Sequence, residues 1–217
     1  MPSSSPEVIP LVIGLLWELA PRSVLDMGTG YGKYGVLFRE YLELRHRQVR
    51  ERNHEADPTR LSRLVQIDGV EGFADYVGDL HLAVYDNIYI ENILDFAKRE
   101  WEYDLIFMSD VLEHMDKEVA LKELLPKLVL ASKMGVLISV PAKVQEQHAE
   151  FNNELEIHIS QWNSRDFHKL APFTHTGLKG GHLISFLTRE HRYYRIARGN
   201  VLRRKLRSVK RAFQDSW

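Results

Sequence analysis

The sequence predicts an α/β domain in which a mostly parallel sheet carries helices on both faces. Short apolar segments at 23–26, 64–70, 83–90, 103–108 and 135–140 recur along the chain, with helical stretches between most of them. Strands that alternate with helices build a parallel sheet, and strands buried on both faces read as continuous apolar runs. The first segment runs directly into Asp26-Met27-Gly28-Thr29-Gly30-Tyr31-Gly32, a glycine-rich loop that opens a helix.

Each element has its own signal. Ser5 and Pro6 suit a helix start, and Pro21 stops that helix after Ala20. Residues 23–26 form a buried strand. The glycine loop follows, then a helix carrying Tyr34, Val36, Leu37, Phe38, Tyr41 and Leu42. Residues 43–63 are strongly charged and read as a helical extension followed by an exposed loop ending near Pro58. A second strand covers 64–70 and ends at Glu71, a third covers 83–90, and a fourth covers 103–108. Asp116 is placed to cap the next helix, and Pro126 predicts a kink in it, because proline lacks an N–H and crowds the preceding turn. A fifth strand, 135–140, ends at Pro141. Beyond it, Ser164 is expected to cap a short helix through Leu170, and 183–187 reads as a late strand.

The 217 residues fit one domain with a small appendage. Hydrophobic content of 44% and charged content of 27% describe a globular chain able to bury a core. There is no cysteine, which removes disulfides, thiolate zinc sites and cysteine nucleophiles. The apolar run 8–17 has no basic residue before it, unlike a signal peptide, and no segment reaches the ~18 apolar residues of a membrane span. A cytoplasmic location is expected. The net charge of −1 hides an asymmetry: residues 189–217 hold ten Lys/Arg and two acids, a net +8, leaving 19 basic and 28 acidic residues, a net −9, in 1–188. The chain therefore divides into a body, 1–188, and a basic helical tail, 189–217. In the tail Leu202, Leu206, Val209 and Phe213 mark one helical face among basic residues. Such a helix at 199–213 suits an anionic membrane surface or nucleic acid. Docking on the acidic body or on a second subunit, as in a homodimer, is the alternative.

Three clusters carry chemistry. Glycines at 28, 30 and 32 let the backbone turn tightly and approach a ligand, and Asp26 ends the strand before them. A dinucleotide fold prefers G-x-G-x-x-G, but position 33 is Lys, and no P-loop Gly-Lys-Ser/Thr follows. Glu71, at the end of the second strand, can accept both hydroxyls of a ribose. It lies 39 positions beyond Gly32, where about 20 is usual, and the charged stretch at 43–63 accounts for the excess. Asp68 is its competitor. The third cluster, Asp110, Glu113 and His114, follows the fourth strand, at the edge where such sheets bind ligands.

Together, Val24 to Gly32, Gly69-Val70-Glu71, Tyr103 to His114 and Gly135 to Pro141 resemble the class I S-adenosylmethionine-dependent methyltransferases, of the small-molecule type, over about residues 8–141. The resemblance implies a Rossmann-like doubly wound sheet of seven strands, the last antiparallel, with S-adenosylmethionine as cofactor. It places Asp26, Gly28, Gly30 and Gly32 beside the methionine part and Glu71 at the ribose. Asn92 falls near the adenine amine, where many members carry Asp, and Ile93 lies against the adenine. Asp110 belongs to the same cofactor-binding set. Residues 152–162 also resemble a stretch that approaches the substrate side in some members.

The implied reaction moves a methyl group to oxygen or nitrogen of a small molecule, such as a sugar or a lipid-linked intermediate. A hydroxyl acceptor benefits from a base, and His158 and His114 are the candidates, with Glu156 two residues before His158 so that both point to one side of an extended segment. The ten histidines show no ligand spacing within a helical turn, so no metal is expected. An RNA methyltransferase gripping its substrate through the tail, and a non-catalytic cofactor-binding scaffold, are the competing functions. The acidic body, the lack of an Asn-Pro-Pro-Tyr-type motif and the intact cofactor motifs weigh against them.

Overall fold

A computed structural model describes residues 5–53, 63–143, 147, 149 and 152–199. Helix α1 (Ile9–Leu19) begins with Pro10 in its first turn and ends where Ala20 turns left-handed, its N–H donating to Leu16 O at 2.8 Å. Strand β1 (Ser23–Met27), helix α2 (Lys33–Arg52), β2 (Gln66–Glu71), α3 (Asp79–Val84), β3 (Asn87–Ile90), α4 (Ile93–Phe96) and β4 (Tyr103–Ser109) follow. A helical stretch from Lys117 to Ala131 leads to β5 (Ser132–Pro141), and a short helix, Ser164–Phe167, precedes β6 (Phe173–Lys179) and β7 (His182–Thr188).

The seven strands form one sheet in the order β3-β2-β1-β4-β5-β7-β6. All neighbours from β3 to β5 are parallel, and β7 runs antiparallel between β5 and β6. The fold class read from the sequence is the one observed. Side chains alternate between the two faces, as the pleat requires. Leu25, Met27, Ile106, Met108, Val136 and Ile138 join the core under the helices at 93–96, 117–131 and 164–167. Val24, Leu105, Phe107, Leu137, Ile184 and Phe186 join the core under α1 and α2.

The charged extension after the glycine loop is anchored by two side chains. Glu43 is buried and accepts from Leu64 N at 2.8 Å and Val65 N at 3.3 Å, holding the entry to β2. Arg39 donates to Val65 O (2.7 Å), Val84 O (2.9 Å) and Asp86 (2.8 Å), so one guanidinium ties α2 to the edge of the sheet.

Several local expectations change. The third strand starts at Asn87 rather than at residue 83, because Ala83 and Val84 finish α3, whose buried His81 and Val84 are three apart as a helix demands. Strand β6 had no legible signal: it is the edge strand, none of its side chains is fully buried, and Gly177 lies within it. The short late helix is capped by Asn163, not Ser164. Asn163 Oδ1 accepts from Arg165 N at 3.0 Å, and Asp166 accepts from Asn163 N at 2.7 Å. Asp116 does cap its helix, accepting from Val119 N at 2.9 Å. Before Pro126 the helix loosens into a π turn, Ala120–Leu124, rather than a simple kink.

Residues 191–199 are helical, and Ala197 is buried beside Tyr193 and Ile196 in the α1 and α2 core. The first part of the basic segment is thus continuous with the body. The amphipathic stretch proposed at 199–213 lies, from residue 200 on, outside the described residues. Among the described residues no helix is long and apolar enough to cross a membrane.

Candidate active site

The carboxyl ends of β1, β2, β3, β4 and β5 open on one cavity of about 620 Å³. It lies where the strand order reverses between β1 and β4, the position at which open α/β sheets bind ligands. Gly28, Gly30, Glu71, Asn92, Ile93, Asp110, His114, Glu156 and His158 all line it. Asp26 and Gly32 do not.

The loop owes its shape to backbone that only glycine adopts easily. Gly28, Gly30 and Gly32 have φ of 83°, 52° and 82°. At Gly28 a Cβ would also collide with Val111 Cγ2, so the loop and the segment after β4 pack with no room for a side chain. Gly28 N donates to Val70 O at 2.9 Å, and Gly30 N donates to Glu71 Oε2 at 2.8 Å. His81, which the sequence did not single out, sets the remaining geometry. Its Nδ1 accepts from Gly78 N (3.2 Å), so its Nε2 donates to Gly30 O (2.9 Å) and the ring is neutral. Burial lowers its pKa in keeping with that.

Glu71 and Asp68 prove to have different work. Asp68 is spent on the fold: it accepts from Tyr103 OH (2.7 Å), Gln66 Nε2 (2.7 Å) and Asn87 N (3.1 Å). Glu71 faces the cavity, accepting from Gly30 N and from Phe73 N at 2.9 Å. Thr29 Oγ1 adds a third, longer bond at 3.4 Å. A carboxylate has about four acceptor positions, so one remains for a ligand, on the oxygen that Phe73 N reaches. Burial raises its pKa, and these hydrogen bonds oppose the shift. Asn92 Oδ1 caps the following helix, accepting from Leu94 N at 2.8 Å. One lone pair of the oxygen assigned to the adenine amine is therefore already in use.

Asp26 sits behind the loop, 1% exposed, with its carboxylate accepting from Tyr85 OH at 2.6 Å. Burial raises its pKa to about 7, with Tyr85 opposing the shift. Its distance from the cavity follows from the pleat: on β1 the side chain turns to the α2 face, while the loop curls over the strand end. Lys33, by contrast, does line the cavity, near the charges of Asp26 and Asp110, and burial lowers its pKa.

The β4 side of the cavity is built differently. Asp110 takes left-handed backbone (φ 55°), which an aspartate tolerates better than most residues. Its Oδ2 accepts from Ser109 Oγ (2.8 Å) and its Oδ1 from His182 Nε2 (2.8 Å). His182 Nδ1 lies 3.1 Å from Gly180 O. Both ring nitrogens face acceptors, which suits an imidazolium, and the bond to Asp110 raises its pKa accordingly. Nothing in the sequence ties residue 182 to residue 110: the antiparallel pairing of Pro141 with His182 brings them together.

Glu113 is 3% exposed, and neither of its carboxylate oxygens has a hydrogen-bond partner among the described residues. Its pKa is pushed well up by burial, with the Asp110 charge adding to the shift. Its backbone carbonyl accepts from Ile159 N (2.8 Å) and Ser160 N (3.0 Å), which pins residues 157–160 against the end of β4. That brings His158 beside His114, with ring centroids 4.8 Å apart. His114 Nδ1 lies 3.2 Å from Ile157 O; a carbonyl only accepts, so Nδ1 is the donor. Burial lowers the His114 pKa, and the neighbouring His158 adds to this. Glu156 reaches the cavity through a 3₁₀ turn (Glu154–Glu156) capped by Asn153, not by the strand-like alternation expected from the sequence. It accepts from Gln147 Nε2 at 3.1 Å. The aromatic group Tyr31, Phe73 and Tyr76, with centroids 4.7 and 4.9 Å apart, adds two tyrosines to the lining that sequence reasoning missed.

No family model matches the chain, and no curated protein matches it in sequence. Solved structures do. The methyltransferase domain of bacterial CtHen1-CN is 18% identical, over 82% of this chain and 96% of that one, with a TM-score of 0.51. A methyltransferase from Geobacter sulfurreducens is 15% identical, over 88% and 83%, with a TM-score of 0.53. The chain has the class I methyltransferase fold. An O-methyltransferase family protein from Burkholderia thailandensis shares it at 16% identity and a TM-score of 0.53, over 85% of this chain and 57% of that one. At these identities the methyltransferase likeness concerns the fold.

Proposed function

We propose that the protein is an S-adenosylmethionine-dependent methyltransferase that methylates oxygen or nitrogen of a small molecule, a sugar or lipid-linked intermediate being the favoured class. One observation carries the proposal. A single cavity joins the glycine loop, Glu71, Asn92, Ile93 and Asp110, which suit the cofactor, to His114, Glu156 and His158, which suit an acceptor. In this assignment Glu71 takes a ribose hydroxyl, Ile93 and Asn92 border the adenine, and Gly28 and Gly30 lie along the methionine part. Gly32 starts α2, and Asp26 supports the loop from behind.

The sulfonium is an activated methyl donor, so the protein's first task is to align an acceptor atom in line with the carbon–sulfur bond. The acceptor oxygen or nitrogen forms a bond to the methyl carbon, and the bonding pair leaves to sulfur as a neutral thioether. A hydroxyl must also lose its proton. His158, with His114 and Glu156 about it, is the proposed base. The tail from residue 199 on is proposed to bring the enzyme to an anionic membrane surface or nucleic acid.

Calorimetry with S-adenosylmethionine tests the cofactor: one site per chain is expected, weakened in Glu71→Ala. A methyl-transfer screen across glycans, lipids, metabolites and RNA tests the acceptor class. Turnover confined to RNA would replace the small-molecule assignment.

A further inference from the structure

Among the described residues neither carboxylate oxygen of Glu113 has a partner, which makes it the least explained group in the cavity. A buried ionised carboxylate without partners is costly, and a protonated one would still need an acceptor for its O–H. Its surroundings offer two imidazoles. One carboxylate oxygen of Glu113 and one ring nitrogen each of His114 and His158 lie within 4.8 Å of one another. Three such atoms on one divalent ion would be roughly 3–3.5 Å apart at ordinary bond lengths of about 2.1 Å. The ligand atoms need to draw together by about 1–2 Å to reach that spacing.

We propose that Glu113, His114 and His158 form a divalent cation site at the acceptor side of the cavity. The support is geometric. The His114 Nδ1–H donated to Ile157 O fixes the tautomer whose Nε2 keeps a lone pair, the usual outer partner of a metal-bound imidazole. The segment carrying His158 is held to Glu113 through its own carbonyl, so the three ligands do not depend on a free loop. Asp110 adds negative charge beside the group while staying bonded to Ser109 and His182. Two nitrogens and one carboxylate oxygen favour a first-row transition ion such as Mn²⁺, Co²⁺ or Zn²⁺ over Mg²⁺ or Ca²⁺, and three protein ligands leave positions open.

The open positions face useful space. Glu113 and His158 line both the main cavity and a smaller pocket of about 190 Å³ walled by Pro141, Lys143, Ser160 and Gln161. An acceptor hydroxyl entering there can bind the ion, which weakens its O–H bond. The proton is released to water, and the resulting oxygen bonds to the methyl carbon as the carbon–sulfur bond breaks, its electron pair leaving to sulfur. A nitrogen bound to the ion cannot also act as a base, so His158 would activate the acceptor through the ion. This role rests on the methyl-transfer function; the ion site does not.

The test uses the untagged full chain, stripped by chelator and titrated with Co²⁺ in the absence of S-adenosylmethionine. One Co²⁺ per chain is expected, with visible absorption of a low-coordinate ion. Glu113→Gln and His158→Ala should each weaken uptake by at least about tenfold, whereas exposed His168→Ala should not. Pulsed electron resonance of the wild-type chain loaded with one Cu²⁺ should show two imidazole nitrogens, a readout that needs no variant to fold. No stoichiometric Co²⁺ uptake, fewer than two imidazoles, or equal uptake by folded Glu113→Gln and His158→Ala would overturn the proposal. Calorimetry with S-adenosylmethionine on the same stripped sample reads the cofactor site separately.

Discussion

The two halves of the cavity differ in how they hold one buried glutamate each, Glu71 and Glu113. On the β1 to β3 side Glu71 is bonded to two backbone N–H groups, Asp68 is spent on Tyr103 and Asn87, and His81 is locked between Gly78 and Gly30. On the β4 to β7 side Glu113 is buried with no partner among the described residues, and two imidazoles stand beside it. A satisfied half is rigid before its ligand arrives and suits a cofactor of fixed shape. An unsatisfied half gains most when a ligand, ion or acceptor completes it.

The largest effect should come from the unsatisfied half. His158→Ala is expected to lower kcat by about 10²–10⁴-fold while leaving S-adenosylmethionine affinity nearly unchanged. Steady-state kinetics paired with calorimetry reads both, and unchanged turnover across pH would break the division between the halves.

Asp26 is the exception within the satisfied half, and pH exposes it. Its folded pKa of about 7 lies above the ordinary aspartate value of 3.8, so between these the folded chain holds a proton that the unfolded chain releases. This contribution to stability therefore falls as pH rises from about 4 to 7 and levels off above. Asp26→Asn, which mimics the protonated acid, should match the wild type near pH 4 and exceed it at pH 8, by at most about 4 kcal/mol. Urea melts at the two pH values measure the difference, and a gain that is the same at both would remove Asp26 as its source.

Glu71→Ala should weaken S-adenosylmethionine binding by roughly 10- to 100-fold, the loss of a hydrogen bond to a charged acceptor. Glu71→Gln should recover part of it, since an amide oxygen still accepts. The smallest effect belongs to the loop. Gly28→Ala is expected to cost about 2 kcal/mol through its left-handed backbone and its clash with Val111, and Val111→Ala in the same chain should return some of it. Thermal melts of the single and double variants separate the steric part from the backbone part.

The sequence alone was enough for the sheet's alternation, the glycine loop and the acid Glu71 at the end of the second strand, because each is encoded within a few residues: apolar runs, φ-permissive glycines and an acid where the strand stops. It also flagged His114 and His158, but as single histidines without ligand spacing. Their approach to each other and to Glu113 depends on the 43 residues between the two histidines returning to β4 through bonds from Ile159 and Ser160 to a backbone carbonyl, and backbone bonds leave no mark on residue identity. The same holds for His182, delivered to Asp110 by an antiparallel pairing, and for the edge strand β6, whose half-exposed residues need no apolar pattern. Local chemistry thus determined where the glycine-loop side of the cavity lies, and only the tertiary structure decided what the histidine side contains, because contacts between distant segments are chosen by packing and pairing geometry rather than by sequence spacing.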